Sequence, residues 1–223
     1  MKKKRRSYMQ PSHLTINDNG THEIIIQKSR FISHFKHTTT EVEAQTFISE
    51  IKKQFANANH NCSAYVIGEN NDLQKANDDG EPSGTAGVPM LEVLKKRNVR
   101  NTTVVVTRFF GGIKLGAGGL IRAYSRSVSD GMNAVGLIQR LLVNEISITF
   151  EYGWLGKMEN ELRQSPYSIK SFDYAEAVQV VLYIQPKDLQ TFKEWITDLT
   201  SAQVVIREGS KTYLDLDFPT TSI

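Results

Sequence analysis

NTTVVVTRFFGGIKLGAGGLIRAYS, Asn101 to Ser125, passes from a β-branched apolar run through five glycines into residues at helical spacing. Three consecutive valines favour extended backbone, and an apolar run without polar alternation reads as a strand buried on both faces. Beyond the glycines, Leu120, Tyr124, Val128 and Met132 recur every fourth residue, and Ile121 and Val135 widen the stripe, which predicts a helix with one buried face. Gly131 and Gly136 mark its end. A strand feeding a helix through glycines makes a concavity where the free N–H groups and dipole of the helix favour an anion.

The residues around that concavity fit such a role. Gly111 and Gly112 end the strand, and Gly116, Gly118 and Gly119 precede the helix, so backbone can approach a ligand closely. Arg108 sits on the strand, Lys114 in the loop, and Arg122 and Arg126, four apart, share one helix face. Phosphate, carboxylate or RNA backbone would suit it. The other reading is a tight crossover whose arginines pair with acids elsewhere. Neither GxxxxGK[ST] nor GxGxxG is present, so ATP and NAD are unsupported and no cofactor is expected.

NDDGEPSGTAGVP, Asn77 to Pro89, is the natural partner segment. Asp78, Asp79 and Glu81 do not follow the calcium-loop pattern, and no metal is expected. Ser83, Gly84 and Thr85 lie outside the G-x-S-x-G nucleophile elbow, so capping and turn roles are favoured over nucleophilic catalysis. The acids are expected to pair with Arg108, Lys114 or Arg122 and fix the two loops together. His60 and Cys62, two apart at a strand's start, point to the same side, which fits core packing better than a catalytic pair. His34 and His37, three apart, fall on opposite faces of a strand. No catalytic residue is assigned.

Upstream, EIIIQKSRFISHFKHT (Glu23 to Thr38) reads as two strands, and Thr40 with Glu43 forms a capping box before the helical spacing of Phe47, Ile48, Ile51 and Phe55. CSAYVIGE from Cys62 is a strand, NNDLQ a turn, and Pro89 opens a short helix carrying Leu91 and Leu94. Downstream the pattern restarts as VNEISITF, GWLGKMENELRQ, SIKSFDY, AVQVVLYIQ, KDLQTFKEWITDLT, AQVVIREG and KTYLDLDF. That is βαββαβ with one extra edge strand, a ferredoxin-like order, in which Trp154 and Trp195 are core residues. The fold class is α+β, with a basic disordered tail over residues 1–19, a first domain over 20–139 and a second over 140–223.

Charge supports that division. Lys2, Lys3, Lys4, Arg5 and Arg6 more than account for the net +3, while residues 140–223 hold eight Lys and Arg against twelve Asp and Glu. A binder that is basic throughout is excluded, and any anion site is a local cluster in the first domain. Cys62 is the only cysteine, so no intrachain disulfide forms. No apolar run long enough to span a bilayer or build a signal peptide is present, and the expected location is the cytoplasm, as a monomer with no membrane association.

KSRFIS, HNCSAYVIGE, DDGEPSGTAGVPMLEVL and VVVTRFFGGIKLGAGGLIRAYS, running in order from Lys28 to Ser125, resemble the signature blocks of the IMPACT family in its bacterial YigZ-like branch. The resemblance implies a first domain like the second domain of ribosomal small-subunit protein S-five, a sheet backed by helices. It implies a small second domain similar in shape to the last domain of the translocating elongation factors. It also implies a translation-linked regulator rather than an enzyme, since the eukaryotic family member regulates translation through a protein partner. Its motif falls here on His60, Asp78, Asp79, Glu81, Ser83, Gly84, Thr85, Gly87, Arg108, Gly111, Gly112, Lys114, Gly116, Gly118, Gly119, Arg122 and Tyr124. The motif often has Tyr where Phe109 stands. The expected ligand is the phosphate backbone of RNA, on the ribosome or elsewhere. The alternatives are a hydrolase-type enzyme acting on a small phosphorylated or carboxylated substrate in the same cleft, and a protein-interaction module.

Overall fold

The computed structural model describes residues 12–17, 19–68 and 70–218, which fall into two compact units. One is drawn from residues up to 139 together with the stretch from 216, and the other is Arg140–Asp215. The first contains β1 (Ser12–Ile16), β2 (Gly20–Ile26), β3 (Ser29–His37), α1 (Glu41–Gln54), β4 (His60–Ile67), β5 (Leu73–Asn77), α2 (Gly87–Lys96), β6 (Thr102–Phe109) and α3 (Gly116–Val135).

The valine run makes β6 the central strand of an antiparallel sheet ordered β2-β3-β6-β4-β5. Val104 and Val106 pack with Phe31, Phe35, Met90, Leu94 and Tyr124 on the face covered by α2 and α3. Val105 faces the opposite layer, against Phe47, Ile48 and Ile51 of α1. Helices on both faces explain why a strand of an antiparallel sheet carries no polar alternation. The register sets Arg108 opposite Phe31 on one side and His60 on the other, the row from which the site is built.

Helix α1 begins where the capping box places it. The Glu43 amide donates to Thr40 Oγ1 at 3.2 Å, and the Thr40 amide donates back to Glu43 Oε2 at 3.3 Å. In α3 the residues Leu120, Tyr124, Val128 and Met132 are buried as the spacing predicts, but Ile121 is 41% exposed and lies off the stripe. Gly131 does not mark the helix end. It is the point where α3 crosses β3, and a Cβ there would collide with Ser33 and Phe35. The helix runs on to Val135, and Gly136, at φ 84°, closes it. Gly116, Gly118 and Gly119 lie inside the first turn of α3 rather than before it.

Two strands of this unit are absent from the sequence reading. The expected tail over 1–19 is too long, because β1 occupies part of it; residues 1–11 lie outside the described residues. Leu14 of β1 bridges Val99 in parallel, and Ile16 is almost fully buried. Five residues with two short polar side chains give too little alternation to mark a strand. Likewise β5, LQKAN, was expected to begin in a turn, yet pairs along β4 from Ser63 to Ile67. It is a polar edge strand, so its sequence has no apolar period to read.

The second unit holds most of β7 (Leu137–Phe150), then α4 (Leu155–Gln164), β8 (Ser168–Tyr174), β9 (Val178–Ile184), α5 (Leu189–Leu199) and β10 (Val205–Phe218). Its strands lie in the order β8-β9-β7-β10, the ferredoxin-like arrangement. Alternate residues of β7 and β9 face Met158, Leu162, Phe192 and Ile196, with Trp154 and Trp195 packed at the edge of that core. AQVVIREG and KTYLDLDF, expected as two strands, form the single strand β10, which continues through Gly209 where its backbone passes close to Glu145 of β7. No described helix is long and apolar enough to cross a membrane.

Two substitutions test these local constraints. Gly131→Ala is expected to destabilise the chain by about 1–3 kcal/mol, because a methyl group must displace Phe35 or lift α3 from the sheet. Thr40→Ala is expected to lose about 1 kcal/mol with the cap. Urea denaturation of the purified variants measures both.

Candidate functional site

Arg108 reaches from β6 into a space between two aromatic rings, its guanidinium carbon 5.4 Å from the centre of Phe31 and 5.6 Å from that of Phe110. Its Nη1 donates to Glu81 Oε1 at 2.6 Å, and the two side chains are only 6% and 3% exposed. The Tyr124 hydroxyl donates to the same Glu81 oxygen at 2.8 Å. An ion pair this far from water is tolerated because both partners carry further hydrogen bonds or ring contacts, and loss of either would strand a buried charge. Cys62 Sγ lies 3.3 Å from the Tyr124 hydroxyl, and burial above all pushes its thiol up to about 12. Such a thiol stays protonated and is no nucleophile.

The acids of the loop before α2 are committed to the fold. Asp78 accepts from the amides of Gly84 at 2.8 Å, Ala86 at 3.1 Å and Gly87 at 2.8 Å, capping a helix whose own N-cap residue, Ala86, offers no side chain for the task. Burial opposes ionisation of Asp78, but the three amide donors prevail and hold its carboxyl below the ordinary value. Asp79 takes Lys52 Nζ at 2.6 Å and the Asn61 amide at 2.6 Å. Thr85 Oγ1 donates to the Pro82 carbonyl at 2.6 Å, while Ser83 is exposed at the loop surface beside Gly84, whose φ is 76°.

Between this loop and α3 lies a cleft of about 380 Å³. His60, Glu81 and Arg108 form its floor with Asn59, and Pro82, Phe110, Leu115 and Leu120 give it apolar walls. Lys114, Gly116 and Ala117 stand at the N-terminus of α3, where no side chain caps the free amides. His60 is held by its Nδ1, 2.9 Å from the Asp79 carbonyl, and turns Nε2 toward Glu81 Oε2 at 3.8 Å. Gly111 is fixed against the β2–β3 hairpin, where a Cβ would collide with the backbone of Lys28 and Ser29, and its amide donates to Ser29 Oγ at 3.2 Å.

The cations expected to act together are thus divided. Arg108 is buried and met by Glu81, the pairing of loop acid and strand arginine that the second reading of the sequence anticipated. Lys114 lines the cleft. Arg122 and Arg126 line a neighbouring depression of about 330 Å³ with Ile26, Gln27 and Gly119, and Leu115 forms the wall between the two. Arg126 pairs with Asp130 at 3.0 Å, whereas Lys114 and Arg122 have no carboxylate within ion-pair distance among the described residues. Gly112 and Gly118 stand in the loop and first helical turn and line neither depression. Sequence reasoning missed Asn59, Phe110 and Leu120 as cleft residues. Only the pairing of β4 with β6, which brings Asn59 and His60 beside Arg108, reveals the first of them.

Comparison with known proteins places this geometry in context. Residues 27–132 match the Impact N-terminal domain, and residues 148–203 match a family described as a domain of unknown function (DUF1949). The chain is 58% identical over 204 residues to the IMPACT family member YvyE of Bacillus subtilis, covering 92% of this chain and 94% of that one. It is 34% identical over 177 residues to the IMPACT family member YigZ of Escherichia coli, covering 78% and 87%. A crystal structure of a hypothetical protein, 31% identical, aligns over 88% of this chain and 97% of its own with a TM-score of 0.56. With both domains matched in order and a relative alike over almost its whole length, this chain belongs to the IMPACT family, in its two-domain form.

Proposed function

We propose that the protein is a translation-linked regulator that binds RNA, including ribosomal RNA, by its phosphate backbone at the N-terminus of α3, and that it acts by binding rather than by catalysis. The observation that carries this reading is the pair Lys114 and Arg122. Both are exposed cations with no carboxylate partner among the described residues, and they flank the uncapped first turn of a twenty-residue helix. Free amides and the helix dipole lie between two uncompensated positive charges, one on either side of Leu115, a setting that suits phosphate. Family membership supports the translational setting.

Arg108 and Arg126 take smaller parts. Arg108 holds Glu81 and with it the wall of the cleft, and Arg126 shares its charge with Asp130. The non-catalytic reading is supported by the protonated Cys62 thiol, by the commitment of Thr85 to the Pro82 carbonyl and by the use of Asp78 and Asp79 in capping and pairing.

Co-sedimentation with ribosomes at low and high salt tests the reading. The wild type is expected to pellet in a salt-sensitive manner, and Lys114→Ala/Arg122→Ala to lose affinity with a log–log salt slope lower by about 2. Failure of the wild type to pellet at either salt, with no binding of free RNA, would sink it. Arg108→Ala is expected to act elsewhere, lowering stability in urea by about 3–5 kcal/mol because Glu81 is left buried and unpaired.

A further inference from the structure

The floor of the cleft carries hydrogen-bonding groups of a definite pattern. A carbonyl oxygen can only accept, so the His60 Nδ1 facing the Asp79 carbonyl at 2.9 Å carries the ring proton. With the proton on Nδ1 alone, Nε2 is an acceptor. It stands 3.8 Å from Glu81 Oε2. Glu81 Oε1 already receives Arg108 and Tyr124, while Oε2 accepts no hydrogen bond among the described residues, although the side chain is only 3% exposed. Two acceptors thus lie side by side, and an acceptor removed from water without a donor is costly.

The same lining carries a donor. Asn59 accepts the Phe110 amide on Oδ1 at 2.8 Å, which fixes the carboxamide and leaves Nδ2 free to donate. The complement of this floor is a group with two adjacent donors flanked by an acceptor. On its Watson–Crick edge guanine offers N2–H, N1–H and O6 in that order. Adenine and cytosine each place an acceptor next to a single amino donor, and uracil flanks one N–H with two carbonyls. Any of those would set a lone pair against Glu81 or His60.

We propose that the cleft receives an unpaired guanine base, its two N–H groups on Glu81 Oε2 and His60 Nε2 and its O6 on Asn59 Nδ2. Phe110, 45% exposed at the mouth, supplies an aromatic face for stacking, and Pro82 and Leu120 supply apolar walls. A volume of about 380 Å³ lies within the range of small-ligand pockets, about 300–1,000 Å³. The phosphate of the same nucleotide falls to Lys114 and the α3 amides. In that respect the inference rests on the proposed phosphate-binding rim. The guanine belongs either to a single-stranded RNA or to a free guanine nucleotide.

The test varies the ligand, so that folding of a variant does not decide it. A short uridine oligomer with one central guanosine is titrated into the full chain by fluorescence anisotropy against the same oligomer carrying inosine, which lacks the N2 donor, or adenosine. Guanosine is expected to bind about tenfold tighter than either. Phe110→Ala, measured where circular dichroism shows it folded, is expected to weaken the guanosine oligomer about tenfold. GMP and IMP, titrated calorimetrically, form the free-nucleotide arm. Equal affinity for all three oligomers, with RNA binding intact and no preference for GMP over IMP, overturns the guanine site and leaves the phosphate rim standing. Preference for GMP over IMP without RNA binding supports the guanine site and removes RNA as its source. A guanosine affinity that Phe110→Ala leaves untouched overturns the placement in this cleft.

Discussion

Glu81, almost wholly withdrawn from water, is held by Arg108 of the central strand and Tyr124 of the long helix, so one carboxylate ties the acidic loop, the sheet and α3 together. A lone buried carboxylate would be too costly to keep ionised, and a lone buried guanidinium would be equally untenable. Each makes the other tolerable, and the rings of Phe31 and Phe110 on Arg108 complete the enclosure. Through Glu81 the loop side of the cleft is joined to its floor at Arg108 and to α3 at Tyr124.

That arrangement also decides which charges remain for a ligand. Asp78 is drawn into capping α2, Asp79 into holding Lys52 and the start of β4, and Glu81 into the ion pair. Acids that stand close together in the sequence are thereby bound into the fold through one oxygen or both. What is left facing the cleft is small: one oxygen of Glu81, one nitrogen of His60, the amide of Asn59 and the ammonium of Lys114. The cleft lining accordingly offers hydrogen-bonding groups more than free charge.

The legible parts of the fold are those whose signals are local. The Thr40 and Glu43 cap involves residues three apart, and the Leu120 to Met132 stripe follows from helical spacing, so both appear as expected. The strands that escaped reading, β1 and β5, are short and polar on at least one face; β1 is held by Val99 far along the chain, whereas β5 pairs with the neighbouring β4 and was hidden by its polar sequence alone. Gly131 shows the same division. The sequence reading put it at the helix end, but its purpose depends on Phe35, ninety-six residues earlier, lying where its side chain would be.

By itself the sequence determined the α+β class, the two-unit division, the ferredoxin-like order of the second unit, and the stretch of glycines and cations that opens α3. These follow from periodicity, composition and motif, which act over a few residues. Only the tertiary structure decided that Arg108 belongs to Glu81, that Lys114 faces the cleft while Arg122 turns to its neighbour, and that His60, Glu81 and Asn59 meet on one floor. Sheet register and the path of a loop place those groups, and a register shift of a single residue would reverse every side chain along the strand.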